Sequence, residues 1–220
     1  MFLETENMSY KKIDEIREDF GKSEIDFKNL PEVPMELFSN WFSLALKSDK
    51  DNAISFVLST VSQENIPSSR VLLLRNVDKD GFTFFTNYNS SKSKDIDNNH
   101  FVSMNFFWNK LEKQIRITGK ASKVSPENSD TYFNSRPEKS KIGAAVSNQS
   151  SVIDFNFDFN KIISELQLDK DSIKRPKNWG GYKVIPIKIE FWQGRPNRLH
   201  DRVLYTKVSE NTWKKERLAP

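Results

Sequence analysis

Cysteine is absent from this chain of 220 residues. That excludes disulfides, thiol nucleophiles and cysteine-ligated zinc. Histidine is scarce as well, with only His100 and His200, so no histidine-rich metal site is expected. Seven glycines, and no GxGxxG after a strand pattern, argue against a dinucleotide-binding fold. Gly21-Lys22-Ser23 resembles the end of a phosphate-binding loop, but the earlier glycine that the motif requires is replaced by Ile16. No apolar run approaches the ~20 residues of a membrane helix. Met1-Phe2-Leu3-Glu4-Thr5-Glu6 carries acids where a secretory leader has basic and then apolar residues. The expectation is a cytoplasmic protein with no membrane and no metal.

Charge is uneven along the chain. Residues 1–50 hold seven basic and eleven acidic side chains, whereas residues 174–220 hold twelve and four. A basic segment of that kind is either a solvated face or an attractor for anions, whether nucleic acid or a phosphorylated small molecule.

Hydrophobic spacing sets the element pattern. Ile13, Ile16 and Phe20 recur at helical intervals in Tyr10–Phe20, and a second helix follows Pro34 to about Lys47, with Leu37, Phe38, Trp41, Phe42, Leu44 and Ala45 on its apolar face. Residues 48–52 read as a loop. The period then changes to two. Strands are expected at 54–61, 70–77, 82–87, 101–108, 111–119, 183–192, 203–208 and 212–217, with Asp78-Lys79-Asp80-Gly81 as a hairpin turn. Helices are expected at 90–98, from Pro126 to about Ser135 with Ser125 as its cap, at 138–146 and at 160–168. Seven or eight antiparallel strands without βαβ alternation point to a mainly β fold, a barrel with peripheral helices. No repeat and no second domain is visible.

The densest chemistry lies in Glu190-Phe191-Trp192-Gln193-Gly194-Arg195-Pro196-Asn197-Arg198-Leu199-His200-Asp201-Arg202. If the end of this run is strand-like, Arg198, His200 and Arg202 project to one side. Two guanidiniums, an imidazole and a nearby indole suit a planar anionic ligand. Exposed arginines and a surface histidine after a turn would read the same way. Tyr132 and Arg136 are four apart on an expected helix, with Ser140 just beyond, which makes either an ordinary surface pair or a phosphate clamp. Gln114 lies in an alternating strand, facing either solvent or a ligand.

The run from Glu190 to Arg202 resembles the signature of the pyridoxamine (pyridoxine) 5′-phosphate oxidases. Ser69-Arg70-Val71-Leu72-Leu73-Leu74, Phe84-Phe85-Thr86-Asn87, Leu111-Glu112-Lys113-Gln114, Tyr132-Phe133-Asn134-Ser135-Arg136-Pro137, Ser147-Asn148-Gln149-Ser150-Ser151, Trp179-Gly180-Gly181 and the terminal Arg217-Leu218-Ala219-Pro220 fit the same family in the same order. The resemblance runs from about residue 37 to the end. It implies one domain over 37–220, an antiparallel split β-barrel of the FMN-binding type, after an N-terminal segment at 1–36 that is partly helical or flexible. It implies a homodimer with FMN at the interface. FMN would be held by Arg70, Val71, Leu72, Leu73, Phe85, Thr86, Lys92, Gln114, Gln149, Ser150, Trp192 and Arg202. Substrate would be held by Arg75, Tyr132, Arg136, Ser140, Arg198 and His200, with Arg198 and His200 at the reacting end. The implied reaction oxidises pyridoxamine or pyridoxine 5′-phosphate to pyridoxal 5′-phosphate. Hydride leaves the substrate C4′ for the flavin, oxygen is reduced to hydrogen peroxide, and the amine substrate releases ammonia.

Two positions depart from the family pattern. Arg75 stands where a lysine is usual, and Ser91 stands where an arginine is usual, which removes one cation from the FMN phosphate. Three other readings stay open beside the oxidase: a split-barrel flavoprotein with another substrate or a non-oxidase role, a carrier of pyridoxal phosphate, and a basic nucleic-acid-binding module. The last is set aside because the basic residues fall on anion-binding positions of the family.

Overall fold

A computed structural model of the chain describes residues 19–166 and 173–220. Nine strands form one antiparallel sheet: β1 (Ser55–Val61), β2 (Pro67–Leu73), β3 (Asn76–Asp78), β4 (Gly81–Asn87), β5 (Phe101–Trp108), β6 (Lys113–Lys123), β7 (Trp179–Gln193), β8 (Asp201–Lys207) and β9 (Trp213–Arg217). The order is β2-β1-β5-β6-β7-β4-β3, and β8 and β9 branch from the far end of β7. Helices α1 (Pro34–Ser48), α2 (Lys50–Ala53), α3 (Ser91–Asn98), α4 (Pro126–Ser135), α5 (Glu138–Val146) and α6 (Phe159–Leu166) interrupt the strands. The mainly β, antiparallel architecture read from the sequence is the one observed. Most of the expected helix at Tyr10–Phe20 and the last two residues of the one at 160–168 lie outside the described residues.

The two ends of the sheet path, β2 and β3, are consecutive in the chain. Leu74 and Arg75 form the corner between them. The Leu74 N–H donates to the Ile54 carbonyl (2.8 Å) and the Arg75 N–H to the Thr83 carbonyl (2.9 Å), so this corner closes the barrel. The single strand expected at 70–77 is therefore two strands with different partners, β2 on β1 and β3 on β4. The hairpin over Asp78–Gly81 forms as expected, with Asp78 Oδ1 accepting from the Asp80 and Gly81 N–H groups.

β7 begins at Trp179, four residues before the expected start, and pairs with β4 along its first half and with β8 along its second. The register against β6 slips where Gly119 faces Pro186 and Thr118 faces Lys188. Pro186 has no N–H to give the ladder, and a bulge there lets the strand bend.

Aromatic side chains fill the interior. Phe38 of α1 is fully buried and meets Phe82 (ring centroids 4.8 Å apart) and Phe106 (5.6 Å). Edge-to-face contacts of this kind each add roughly 0.5–1.5 kcal/mol beyond area burial. Met35, Phe38, Trp41 and Ala45 form the buried stripe of α1, at helical spacing. Leu44, placed on that face by the sequence, is instead about half exposed, at 48%. It lies one position round the helix from Ala45, beyond the edge of a narrower stripe than expected. Residues 48–52, expected as a loop, contribute to the one-turn helix α2, because the Asp49 carboxylate accepts from the Asn52 N–H (3.3 Å) and caps it.

From residue 19 to α1 the chain runs along the barrel without helix or strand. Ile25 is buried, the Tyr205 hydroxyl donates to the Pro31 carbonyl (2.9 Å), and Lys215 pairs with Glu32.

Candidate active site

A cleft of about 830 Å³ opens where the β2–β3 corner, the end of β4, the start of β7 and the α4–α5 region meet. That volume is in the range of small-molecule and cofactor sites. Val71, Leu72, Leu73, Arg75, Phe85, Thr86, Tyr132, Arg136, Ser140 and Gln149 all line it. Ten of the expected site residues, spread over 79 positions of sequence, thus share one cleft.

Its wall is an aromatic stack. Phe85 lies flat against Tyr132 (3.9 Å, 19°) and against Trp179 (5.6 Å, 14°). Gly181 permits this, because a Cβ there would come within 2.8 Å of the Phe85 ring. The Arg136 guanidinium covers the outer face of Trp179 at 4.6 Å. Arg136 is not on the helix it was expected to share with Tyr132. It follows α4 with extended backbone (φ −74°, ψ 149°), yet the two side chains still line the same space.

The cleft lining carries Arg75 and Arg136 and no acidic side chain among its described residues; Lys92 adjoins it through Thr86 and Gln149, and Arg70 has Asp95 near it. The Nη1 of Arg136 is buried and has no hydrogen-bond partner among the described residues. Burial, with Arg75 nearby, lowers the hold of Arg136 on its proton, against an opposing contribution from Tyr132. Lys92, in the first turn of α3, is 5% exposed and donates to neutral oxygens only: Thr86 Oγ1 (3.2 Å), Ser90 Oγ (3.0 Å) and Gln149 Oε1 (3.3 Å). Burial, reinforced by Arg70, brings its pKa down to about 8. Arg70 points toward the barrel interior and donates to the Leu58 carbonyl (3.2 Å) and Thr60 Oγ1 (2.7 Å). The unused buried donor of Arg136, with Lys92 held only by neutral oxygens, marks a place where an anion completes the hydrogen bonding. Ser150 sits at the rim with φ 74°, beside Gln149.

The other expected residues form a second group, around the far end of β7. Trp192 faces Gln114 on one side and Arg202 on the other. Its ring meets His200 at 4.7 Å. The Arg195 N–H donates to His200 Nδ1 (3.2 Å). Arg202 is bound to Glu190 Oε1 (2.9 Å from both Nε and Nη2) and donates to the Ala219 carbonyl (2.9 Å). Glu190 also holds Arg116 at 3.2 Å.

The strand-like continuation through Arg198 is not observed. Residues 196–198 make a 3-10 turn, Asn197 and Arg198 have φ of 56° and 60°, and β8 begins only at Asp201. Arg198 is exposed on this turn and does not alternate with His200 and Arg202. Pro196 starts the turn and cuts the strand period short.

The two groups are separate within one chain. Trp179 and Trp192 are thirteen residues apart on β7, up to roughly 40 Å of strand. Val71 and Leu73 share the open face of the sheet with Gln114, Trp192 and Arg202, but β2 and β7 are four strand spacings apart, about 19 Å. That open face is unusually apolar at Val71 (65% exposed) and Phe107 (44%).

Several cleft residues lie in runs that match the family in sequence but were given no role there: Trp179, Asn87, Ser135, Pro137, Gly143, Ala144 and Ser147.

Residues 45–165 match the family described as pyridoxamine 5′-phosphate oxidase, and residues 179–220 match the pyridoxine 5′-phosphate oxidase C-terminal dimerisation region. The pyridoxine/pyridoxamine 5′-phosphate oxidase of Bacteroides thetaiotaomicron is 43% identical over 221 residues, covering 96% of this chain and 100% of that protein. That of Flavobacterium johnsoniae is 45% identical over 208 residues, covering 92% and 96%. Among solved structures, PhzG from Burkholderia lata, in complex with tetrahydrophenazine-1-carboxylic acid, superposes with a TM-score of 0.83 at 25% identity, covering 91% of this chain and 100% of that one. A pyridoxamine 5′-phosphate oxidase-related, FMN-binding protein from Nostoc punctiforme shares the fold, with a TM-score of 0.70 at 15% identity over 83% of this chain and 97% of that one. The split barrel, the FMN cofactor and the homodimer implied by the sequence resemblance agree with these likenesses. With its oxidase region, its dimerisation region and relatives of matching length, this chain belongs to the pyridoxine/pyridoxamine 5′-phosphate oxidase family.

Proposed function

We propose that this chain is an FMN-dependent oxidase that converts pyridoxine 5′-phosphate and pyridoxamine 5′-phosphate to pyridoxal 5′-phosphate, with oxygen as the final acceptor. The observation that carries the site assignment is the buried Arg136 N–H with no partner, on the wall of an aromatic cleft beside Arg75. A phosphate offers acceptor oxygens to two guanidiniums at once.

The residues present fit FMN. One set of cations, Lys92 and Arg70 with the Thr86 hydroxyl and the Gln149 amide, suits its phosphate. A second set, Arg75 and Arg136 with Tyr132 and Ser140, suits the phosphate of the substrate. Val71, Leu72, Leu73 and Phe85, which line the cleft, and Ser150 next to it would hold the rest of the cofactor. When bound, FMN supplies the two-electron acceptor for carbon oxidation and passes the electrons to oxygen.

The homodimer joins the two groups. The partner subunit's Gln114, Trp192 and Arg202 complete the flavin site at the interface. The partner subunit's Arg198 and His200 approach the C4′ end of the substrate. Exposed Val71 and Phe107 on the open face support that docking. Held phosphates contribute binding energy remote from the reacting carbon, and this orients the substrate ring. The arginine turn and the imidazole then hold the C4′ substituent and exclude water. The cysteine-free composition suits a reducing cytoplasm.

Adding pyridoxine 5′-phosphate to FMN-loaded protein without oxygen tests this. Loss of the flavin absorbance, restored on admitting air, is expected. An unchanged spectrum would exclude this substrate, and a protein that takes up no FMN would exclude the cofactor site.

A further inference from the structure

Residues 20–25 form a strap whose Phe20 end lies against the Trp192–His200 pair, and Glu112 pins that end. Glu112 Oε2 accepts from two successive backbone N–H groups, Gly21 (2.8 Å) and Lys22 (2.9 Å). The Lys22 ammonium stands 3.8 Å from the other carboxylate oxygen. Further along, the Ser23 hydroxyl bonds Gln193 Oε1 (2.7 Å), the Lys113 ammonium donates to Ser23 (2.9 Å), and the Ile25 N–H donates to Asp201 Oδ2 (3.2 Å). The pinned end presents Phe20, whose ring stands edge-on to Trp192 (5.6 Å, 88°) and meets His200 (5.9 Å, 63°). Gly194 admits this ring, since a Cβ there would come within 2.6 Å of Phe20.

Glu112 is unusual in two respects. It is only 6% exposed, and it is held in the left-handed region (φ 55°, ψ 37°), which non-glycine residues seldom adopt. A buried acid in a costly backbone conformation is kept only where its surroundings fix it. Here its carbonyl also accepts from the Gly194 N–H (2.8 Å) and from the Gln193 amide (3.2 Å), so the residue ties the strap to the start of the loop that ends at His200. Within that loop the Arg195 N–H donates to His200 Nδ1, which leaves the proton of a neutral ring on Nε2 as a donor.

We propose that Glu112 is a positioning residue for the oxidase. Its side chain locks the Gly21–Lys22 backbone, the strap holds Phe20 against Trp192 and His200, and the imidazole is thereby fixed with Nε2–H aimed away from its own loop. This rests on the assignment of His200 to the reacting end of the substrate.

The test uses the full chain loaded with FMN and four variants. Glu112→Gly removes the carboxylate at no backbone cost, because glycine takes positive φ freely. Its melting temperature and FMN content report whether the barrel and cofactor site survive. The expected result is loss of hydrogen-exchange protection at the Gly21 and Lys22 amides and a kcat for pyridoxine 5′-phosphate lowered roughly tenfold or more, the scale of loss that a small misplacement causes. Glu112→Gln keeps an acceptor oxygen and is expected to rescue kcat to within about threefold, since only the charge is lost. Phe20→Ala is expected to lower kcat as Glu112→Gly does. A Glu112→Gly enzyme with unchanged kcat, or equal losses in the glycine and glutamine variants, would overturn the proposal. His200→Asn separates the layers. If it turns over normally, the underlying assignment of His200 fails. If it is inactive while Glu112→Gly is not, only the strap role fails.

Discussion

The two halves of the candidate site treat charge in opposite ways. At the cleft, Arg75 and Arg136 line the wall, and Lys92, with Arg70 near it, bonds the lining residues Thr86 and Gln149; none of the four forms an ion pair with a carboxylate among the described residues, and Arg136 keeps an unused buried donor. Around the end of β7 the arginines other than Arg198 are paired: Arg202 and Arg116 with Glu190, Arg195 with Glu24 and Asp201, Arg217 with Asp201. The first half has cations free for anions that arrive, and the second, Arg198 apart, is already satisfied and holds rings and backbone in place. The basic excess of the C-terminal fifth, visible as composition, is thus largely internal bookkeeping, while the working positive charge comes from scattered residues in regions of no net excess.

The largest expected effect breaks the first half. Arg136→Met should raise the KM for pyridoxine 5′-phosphate about 100-fold, the equivalent of losing a charge-assisted pair of roughly 3 kcal/mol. It should leave the melting temperature equal or higher, because an unsatisfied buried group disappears. A fall in melting temperature without a change in KM would show that Arg136 is structural.

Lys92→Met should weaken FMN roughly 30-fold while sparing the fold. The lysine also sets a pH dependence. In the FMN-free protein its pKa is about 8, below the ordinary lysine value, with burial the main cause and Arg70 adding to it. A bound phosphate favours the charged form, so affinity is full below pH 8 and declines as pH rises through it, by up to about tenfold per unit. Titrations of FMN across that range should show the decline in the wild type and a flat profile in the variant.

The second half should respond differently. Glu190→Gln leaves Arg202 and Arg116 without their counter-charge and should cost about 1–2 kcal/mol of stability, discounted for the exposure of both guanidiniums. Thermal melts measure this, and a variant as stable as wild type would remove the contrast between the halves. The smallest effect sharpens the first half again. Ser91→Arg, next to Lys92, should tighten FMN about threefold, as one further exposed cation near a phosphate would. No gain would place residue 91 away from the phosphate.

The elements of the barrel were legible because their signals are local. Period-two alternation, Asp78–Gly81 and the Ser125–Pro126 start each sit within a few residues. The break of one expected strand at Leu74–Arg75 was not legible, because it depends on Ile54 and Thr83 accepting from the corner, and both are distant in sequence. The site was legible only as a list of residue types in family order. That ten of them share a cleft, joined by Trp179, which was quoted in a family-like run but given no role, follows from β4 pairing with β7. The turn at Arg198 was misjudged because strand alternation was carried past Pro196. The buried pin at Glu112 had no signal at all, since nothing in Leu111-Glu112-Lys113-Gln114 announces a left-handed residue.

β7 carries Trp179 at one end and Trp192 at the other. In a dimer whose sites combine one chain's cleft with the other's ring cluster, every copy of this strand spans from one site to its twin. In such a dimer, damage to a single chain would be shared out. A chain defective in the cleft and a chain defective at the ring cluster, each inactive with its own kind, would assemble into a mixed pair with one site doubly broken and one site wholly intact. With the site shared in the proposed way, the unit on which selection acts would be the couple rather than the chain, and two different defects would heal each other.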